Sequence, residues 1–190
     1  MPDMLIKGGR VLDPASGRDE TADVLIRDGK IAGIGRVKEK ADEVIDAAGK
    51  IVCPGLIDLH VHLREPGNDE VETIRSGAAA AVAGGFAGVA CMPNTDPPVD
   101  SAVSVEYVRR QSADAGLARV YPIGTITKGR KGKELAELSA LARAGVVGFS
   151  DDGDPVADAE LMRRALECAA KLNRPVITHA EDRALSAGGV

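Results

Sequence analysis

Two histidines, His60 and His62, stand one residue apart in the stretch GLIDLHVHLREPG, residues 55 to 67. In an extended strand, residues i and i+2 point the same way. Two imidazoles at that spacing therefore project from one face about 6 to 7 Å apart, close enough to converge on one metal ion. Alternate positions divide the stretch into an apolar set, Ile57, Leu59, Val61 and Leu63, and a polar set, Asp58, His60, His62 and Arg64. A face given over to groups that are costly to bury either lines a site or pairs its histidines by hydrogen bonds within a core. The chain has 3 histidines, and the third, His179, lies near the end of a later apolar run, PVITHAED.

Acid comes from VVGFSDD, residues 146 to 152. If Gly148 and Ser150 fill a crowded interior and Val147 and Phe149 face helices, the same alternation sends Asp152 inward and Asp151 outward. A carboxylate can bridge two divalent ions, so Asp152 is the better ligand candidate, with a turn or helix-cap role as its alternative and as the ready reading of Asp151 and Asp154. Arg64 continues the inward phase beyond the histidines. It suits a substrate carboxylate held by two parallel hydrogen bonds, or a surface ion pair with Glu65 or Asp69. Asn94, in CMPNTDPP, can offer its amide to a ligand or serve the turn. Asp58 can orient a histidine or act as a structural hydrogen-bonding group.

Residues 1 to 53 supply short β-rich runs broken by Asp-Gly and Gly-Gly turns, which predicts a small antiparallel sheet unit. From residue 54 onward, apolar runs alternate with helical patterns over 71 to 85, 101 to 115, 133 to 144 and 158 to 173. That alternation predicts an α/β unit with about five parallel strands. All three histidines then fall near C-terminal strand ends, the rim where such folds build sites. A closed eight-stranded barrel takes ~250 residues, so a barrel would be incomplete in this chain. An open doubly wound sheet is the alternative, but HLREPGNDE lacks the glycine-rich phosphate turn expected after its first strand.

Hydrophobic residues make up 44% of the 190, which is enough for a core, and with aromatics at 2% that core is built from aliphatic side chains. A net charge of −5 gives no field for a phosphate backbone, so nucleic acid is not an expected partner. Cys53, Cys91 and Cys168 form no CxxC motif and read as reduced thiols of a cytoplasmic protein. No segment reads as a signal peptide or a membrane span.

Taken together, DLHVHLREPG, MPNTDPPVD, GFSDDG and ITHAED resemble the dihydroorotases of the cyclic amidohydrolase superfamily, in the bacterial class that also carries a small β-sandwich. The resemblance implies a (β/α)8 TIM barrel of the amidohydrolase type, incomplete here, with residues 1–53 as the N-terminal part of the sandwich and 54–190 as the first part of the barrel. It implies a centre of two Zn2+ ions, with His60 and His62 on one, Asp152 bridging both and His179 on the second. Arg64, Asn94 and His62 would meet the substrate. The implied activity is reversible hydrolysis of L-dihydroorotate to N-carbamoyl-L-aspartate in pyrimidine biosynthesis. The implied assembly is a homodimer, with aspartate transcarbamoylase as a further implied partner. The family's general-base Asp and a further zinc-binding His would fall after Val190, so the chain alone is expected to be inactive and prone to associate. Hydantoinases and allantoinases share the barrel, and many such relatives bridge their metals with a carboxylated lysine. No Lys lies between Lys133 and Lys171, which argues against that bridge here. A non-catalytic scaffold is the remaining alternative.

Overall fold

Apolar alternation in MLIKGGRVLD and ADVLIR makes β1 (Met4–Asp13) and β2 (Arg18–Arg27), which pair antiparallel. Asp28 and Gly29, at φ 49° and 70°, turn the chain into β3 (Lys30–Gly35), the positive-φ geometry an Asp-Gly hairpin favours. This computed structural model describes residues 2–189. β4 (Glu43–Asp46) and β5 (Ile51–Val52) then add to the free edge of β1, and both run parallel to it. The expected antiparallel unit is therefore a mixed sheet. The chain leaves β3 and crosses to the far side of β1, and that crossover reverses the direction that another hairpin would have given. Val11, Ala22 and Val24 form its buried centre with Ile6, Ile26, Ile34 and Val52 against them. These strands belong to the first of two compact units, Met1–Pro54 and Gly55–Val190.

In the second unit, β6 (Leu56–Val61), β7 (Phe86–Cys91) and β8 (Arg119–Pro122) are parallel in that order. Two further segments extend the ladder. Gly124 N–H donates to the Gly148 carbonyl at 3.0 Å, Phe149 N–H to Pro175 at 3.0 Å, and Ile177 N–H to Phe149 at 2.8 Å. Five successive parallel segments, each followed by a helix, make this the opening part of a (β/α) barrel.

The helices are α1 (Ile74–Ala83), α2 (Ala102–Ala115), α3 (Leu138–Ala144), α4 (Ala159–Lys171) and the short α5 (Arg183–Ser186). Thr73 and Ser101 start α1 and α2 with reciprocal side-chain caps, and Asp158 accepts from the amides of Glu160 and Leu161 to start α4. α3 begins five residues later than the helical pattern from Lys133 predicts. The intervening residues pair as extended chain instead, with Ala136 N–H on Ile126 and Lys128 N–H on Glu134, both at 2.9 Å. α5 has no counterpart in the sequence reading.

Between helices and sheet lies the main core, which includes Leu63, Ile74, Val89, Val105, Leu141, Phe149 and Ala165. On the other side of the sheet, Ala90, Met92 and Ile123 cluster with Ile177. Phe149 faces the helices as its alternation requires, whereas Val147 is partly exposed. Val146, entering after the left-handed Gly145 cap of α3, takes the buried place. Cys53, Cys91 and Cys168 are free, and burial pushes the Cys91 thiol up to about 11, so it stays protonated. Among the described residues, no helix is long and apolar enough to cross a membrane.

Candidate metal centre

The β6 strand does not keep its alternation. Asp58 pairs with Val89 and Val61 with Cys91, so three steps on β6 match two on β7 and one extra residue bulges out. The bulge puts Asp58 and Val61 on the same, helix-facing side, where Asp58 lines one pocket with Val61, Val89, Ala80 and Ala81. Asp58 thus leaves the histidine face that simple alternation assigned to it. Its carboxylate accepts from the His60 backbone amide at 3.1 Å, holding the bulge rather than an imidazole. Leu59, 71% exposed, likewise parts from Val61 and Leu63.

His60 and His62 then meet Asp152, which the segment 147–150 carries to the same rim. The His60 and His62 Nε2 atoms lie 3.5 and 3.4 Å from Asp152 Oδ2, and their rings stand edge to face with centroids 5.1 Å apart. On the other oxygen, His179 Nδ1 lies 3.6 Å from Asp152 Oδ1. These separations exceed the usual ~2.7 to 3.2 Å N–H···O hydrogen bond. They match neighbouring ligands of a tetrahedral ion, which stand roughly 3.3 to 3.6 Å apart when each bond is about 2.0 to 2.2 Å. One donor atom from each of His60, His62 and Asp152 lies within 4.8 Å of the other two. Two nitrogens and a carboxylate oxygen suit a borderline divalent ion, so the donor set fits a divalent metal of the kind the resemblance implies.

Asp151 and Asp152 have separated roles that the sequence left open. Asp151 is buried, and its Oδ1 accepts from the amides of Ile126 and Thr127 at 2.8 and 3.1 Å, while the Thr127 hydroxyl donates to Oδ2. Burial raises its pKa, and the Thr127 hydroxyl and the two amides pull it back. Asp151 therefore anchors the loop after β8, and Asp152 alone faces the imidazoles. Asp154 caps no helix. It receives Arg130 and Arg183, both at 2.8 Å, and Arg130 also donates to the Asp152 carbonyl oxygen.

His62 Nδ1 is 2.9 Å from Asn94 Oδ1. With the Nδ1 proton donated to Asn94, the Nε2 lone pair is free for a metal ion shared with Asp152, and the Asn94 NH2 is left to face a ligand. Arg64 is exposed and has no ion pair among the described residues, so neither Glu65 nor Asp69 takes it. Glu65 instead is buried and bonded elsewhere. The loops bearing Arg64 and Asn94 touch, with Asp96 N–H donating to the Pro66 carbonyl at 3.0 Å. At Gly67, φ is 107° and a Cβ would stand 2.3 Å from the Asp96 carbonyl oxygen. Gly67→Ala is expected to cost more than about 1 kcal/mol, since both strain and a backbone clash oppose it. Chemical denaturation of the two proteins checks this, and unchanged midpoints would refute it.

Sequence reasoning missed two groups. Glu181 Oε2 lies 3.4 Å from His179 Nε2, and its carboxyl sits below the usual carboxylate range, chiefly through the Ser186 hydroxyl. The only available signal was its i+2 spacing from His179. Arg130, 22 residues from Asp152, carried no local signal.

Parallel strand and helix units whose C-terminal rim gathers imidazoles around one carboxylate define a TIM barrel of the amidohydrolase type, present here in part. The family model described as dihydro-orotase-like matches residues 49–190. A dihydroorotase of Syntrophotalea carbinolica is 54% identical over 188 residues, covering 98% of this chain and 44% of that protein. One of Pelotomaculum thermopropionicum is 55% identical over 188 residues, with the same 98% and 44% coverage. Among solved structures, the L-hydantoinase (dihydropyrimidinase) of Arthrobacter aurescens superposes with a TM-score of 0.79 at 25% identity, covering 100% of this chain and 45% of that one. The chain belongs to the dihydroorotase-like family. It spans 44% of the length of these curated relatives.

Proposed function

We propose that the full-length protein containing this chain is a zinc-dependent dihydroorotase that interconverts L-dihydroorotate and N-carbamoyl-L-aspartate in pyrimidine biosynthesis. The observation that carries the proposal is the two-sided use of Asp152, with Oδ2 toward His60 and His62 and Oδ1 toward His179. In this reading His60 and His62 would hold one zinc, His179 would hold a second and Asp152 would serve both. Bound zinc supplies a water activated near neutral pH and polarises the amide carbonyl. Arg64 and the Asn94 amide take the substrate carboxylate, and His62 lies against the ring. Holding the carboxylate at a fixed point turns one amide face toward the centre and disfavours neutral cyclic amides. Residues 1–53 contribute to a small β-sandwich and 54–190 to the barrel.

Arg64→Met in the full-length protein is expected to raise KM for dihydroorotate by about 10-fold or more, with zinc per chain unchanged. Zinc loss in that variant would remove Arg64 from the substrate role. The L-hydantoinase likeness favours a second reading, a different cyclic amide on the same barrel. Parallel assays with dihydroorotate, hydantoin and allantoin separate the two, and zinc per chain separates both from a metal-free scaffold. The proposal extends to a cytoplasmic homodimer, with aspartate transcarbamoylase as the first partner to try. Sedimentation of the full-length protein with and without that partner tests this.

A further inference from the structure

Arg64 is exposed, yet the residue after it is among the few buried charged groups of the chain. Glu65 is 8% exposed, and both of its oxygens are occupied. Oε2 accepts from the Ile74 amide in the first turn of α1 at 2.7 Å, and Oε1 accepts from the Tyr107 hydroxyl of α2 at 2.7 Å. Gln111 Nε2 donates to the same Tyr107 oxygen at 3.1 Å, and the Tyr107 ring packs against the main core. A buried carboxylate held by two charge-assisted bonds on two different helices is a rigid anchor for the backbone that carries it. The neighbouring residues are fixed as well, with Asn68 N–H on the Arg64 carbonyl at 3.0 Å and Asp96 N–H on the Pro66 carbonyl at 3.0 Å.

We propose that Glu65 is the positioning residue for Arg64, tying its backbone through Ile74 and Tyr107 to α1 and α2, so that the guanidinium presents to the substrate carboxylate at a set point. The inference rests on the reading of Arg64 as the carboxylate anchor. A long, exposed guanidinium loses much rotamer freedom on binding, and a fixed Cα limits how much more must be ordered. The sequence places a Glu beside the Arg, where a surface ion pair is the simple expectation. The structure instead turns Glu65 to the helices and leaves Arg64 exposed.

The test uses the full-length enzyme. Glu65→Ala is expected to raise KM for dihydroorotate roughly tenfold, the effect of one lost charge-assisted contact, while kcat stays within about twofold and metal per chain is unchanged. In an Arg64→Met background the same change should add nothing to KM, because there is no guanidinium left to place. Glu65→Gln retains an acceptor for Ile74 but loses the acceptor for the Tyr107 hydroxyl, and should recover part of the wild-type KM. Should Glu65→Ala not fold, Tyr107→Phe carries the test alone, with a smaller rise in KM that also disappears in the Arg64→Met background. An effect that persists undiminished beside Arg64→Met, or that falls on kcat rather than KM, overturns the proposal. If Arg64→Met leaves KM unchanged, the carboxylate reading and this inference fall together. If Arg64→Met raises KM and neither Glu65→Ala nor Tyr107→Phe does, only the inference falls.

Discussion

Asp152→Asn in the full-length protein is expected to lower metal affinity by well over the ~10 to 100-fold that loss of a group merely supporting a ligand costs. Asn keeps the shape and most of the packing, so the fold should survive, but it removes the carboxylate that faces all of His60, His62 and His179, leaving only Glu181 beside His179. Neutral imidazoles around a divalent cation supply no compensating charge, and an amide oxygen bridges two ions poorly. If the proposed function holds, hydrolysis of dihydroorotate falls with the metal. The decisive measurement is metal per chain by elemental analysis after dialysis, set beside the thermal midpoint. A variant that keeps its full metal complement would remove Asp152 from the ligand set, whatever its activity.

Phe149→Ala is expected to destabilise the chain by about 3 to 5 kcal/mol, the cost of deleting a fully buried aromatic ring. Phe149 is 0% exposed and packs within the layer that holds Leu141, Val146 and Ala165. Its backbone joins the segment at 175–177 through two hydrogen bonds of 3.0 and 2.8 Å. That loss is a large share of the ~5 to 15 kcal/mol that separates folded from unfolded domains. For a chain of this size the thermal midpoint should fall by roughly 10 °C. Calorimetry checks the value, and a drop under about 3 °C would mean that the cavity collapses at little cost. Because Asp152 follows three residues later, partial unfolding here should also reduce metal retention.

Much of the second unit was legible because its signals are local. Apolar runs alternating with capped helical patterns specify parallel strands, and Ser101 and Asp158 mark helix starts by their own side chains. In the first unit, local turns do not say on which side of β1 the later strands dock, and the parallel pairing of β4 and β5 follows from that docking. The late start of α3 has the same origin, since residues 133 to 137 satisfy their backbone against the loop after β8 rather than within a helix.

The amino-acid sequence by itself determined which groups are available to the candidate centre: three imidazoles, an Asp-Asp pair, Arg64 and Asn94, each near the end of an apolar run. Tertiary structure decided the rest. The bulge in β6 moved Asp58 off the histidine face, and pairing with the Ile126–Thr127 backbone claimed Asp151 and left Asp152 to the imidazoles. Helices α1 and α2 claimed Glu65 and left Arg64 free. Side-chain alternation is a property of one strand, but which of two adjacent carboxylates meets an amide and which meets a histidine depends on segments tens of residues away, and only the packed fold brings those together.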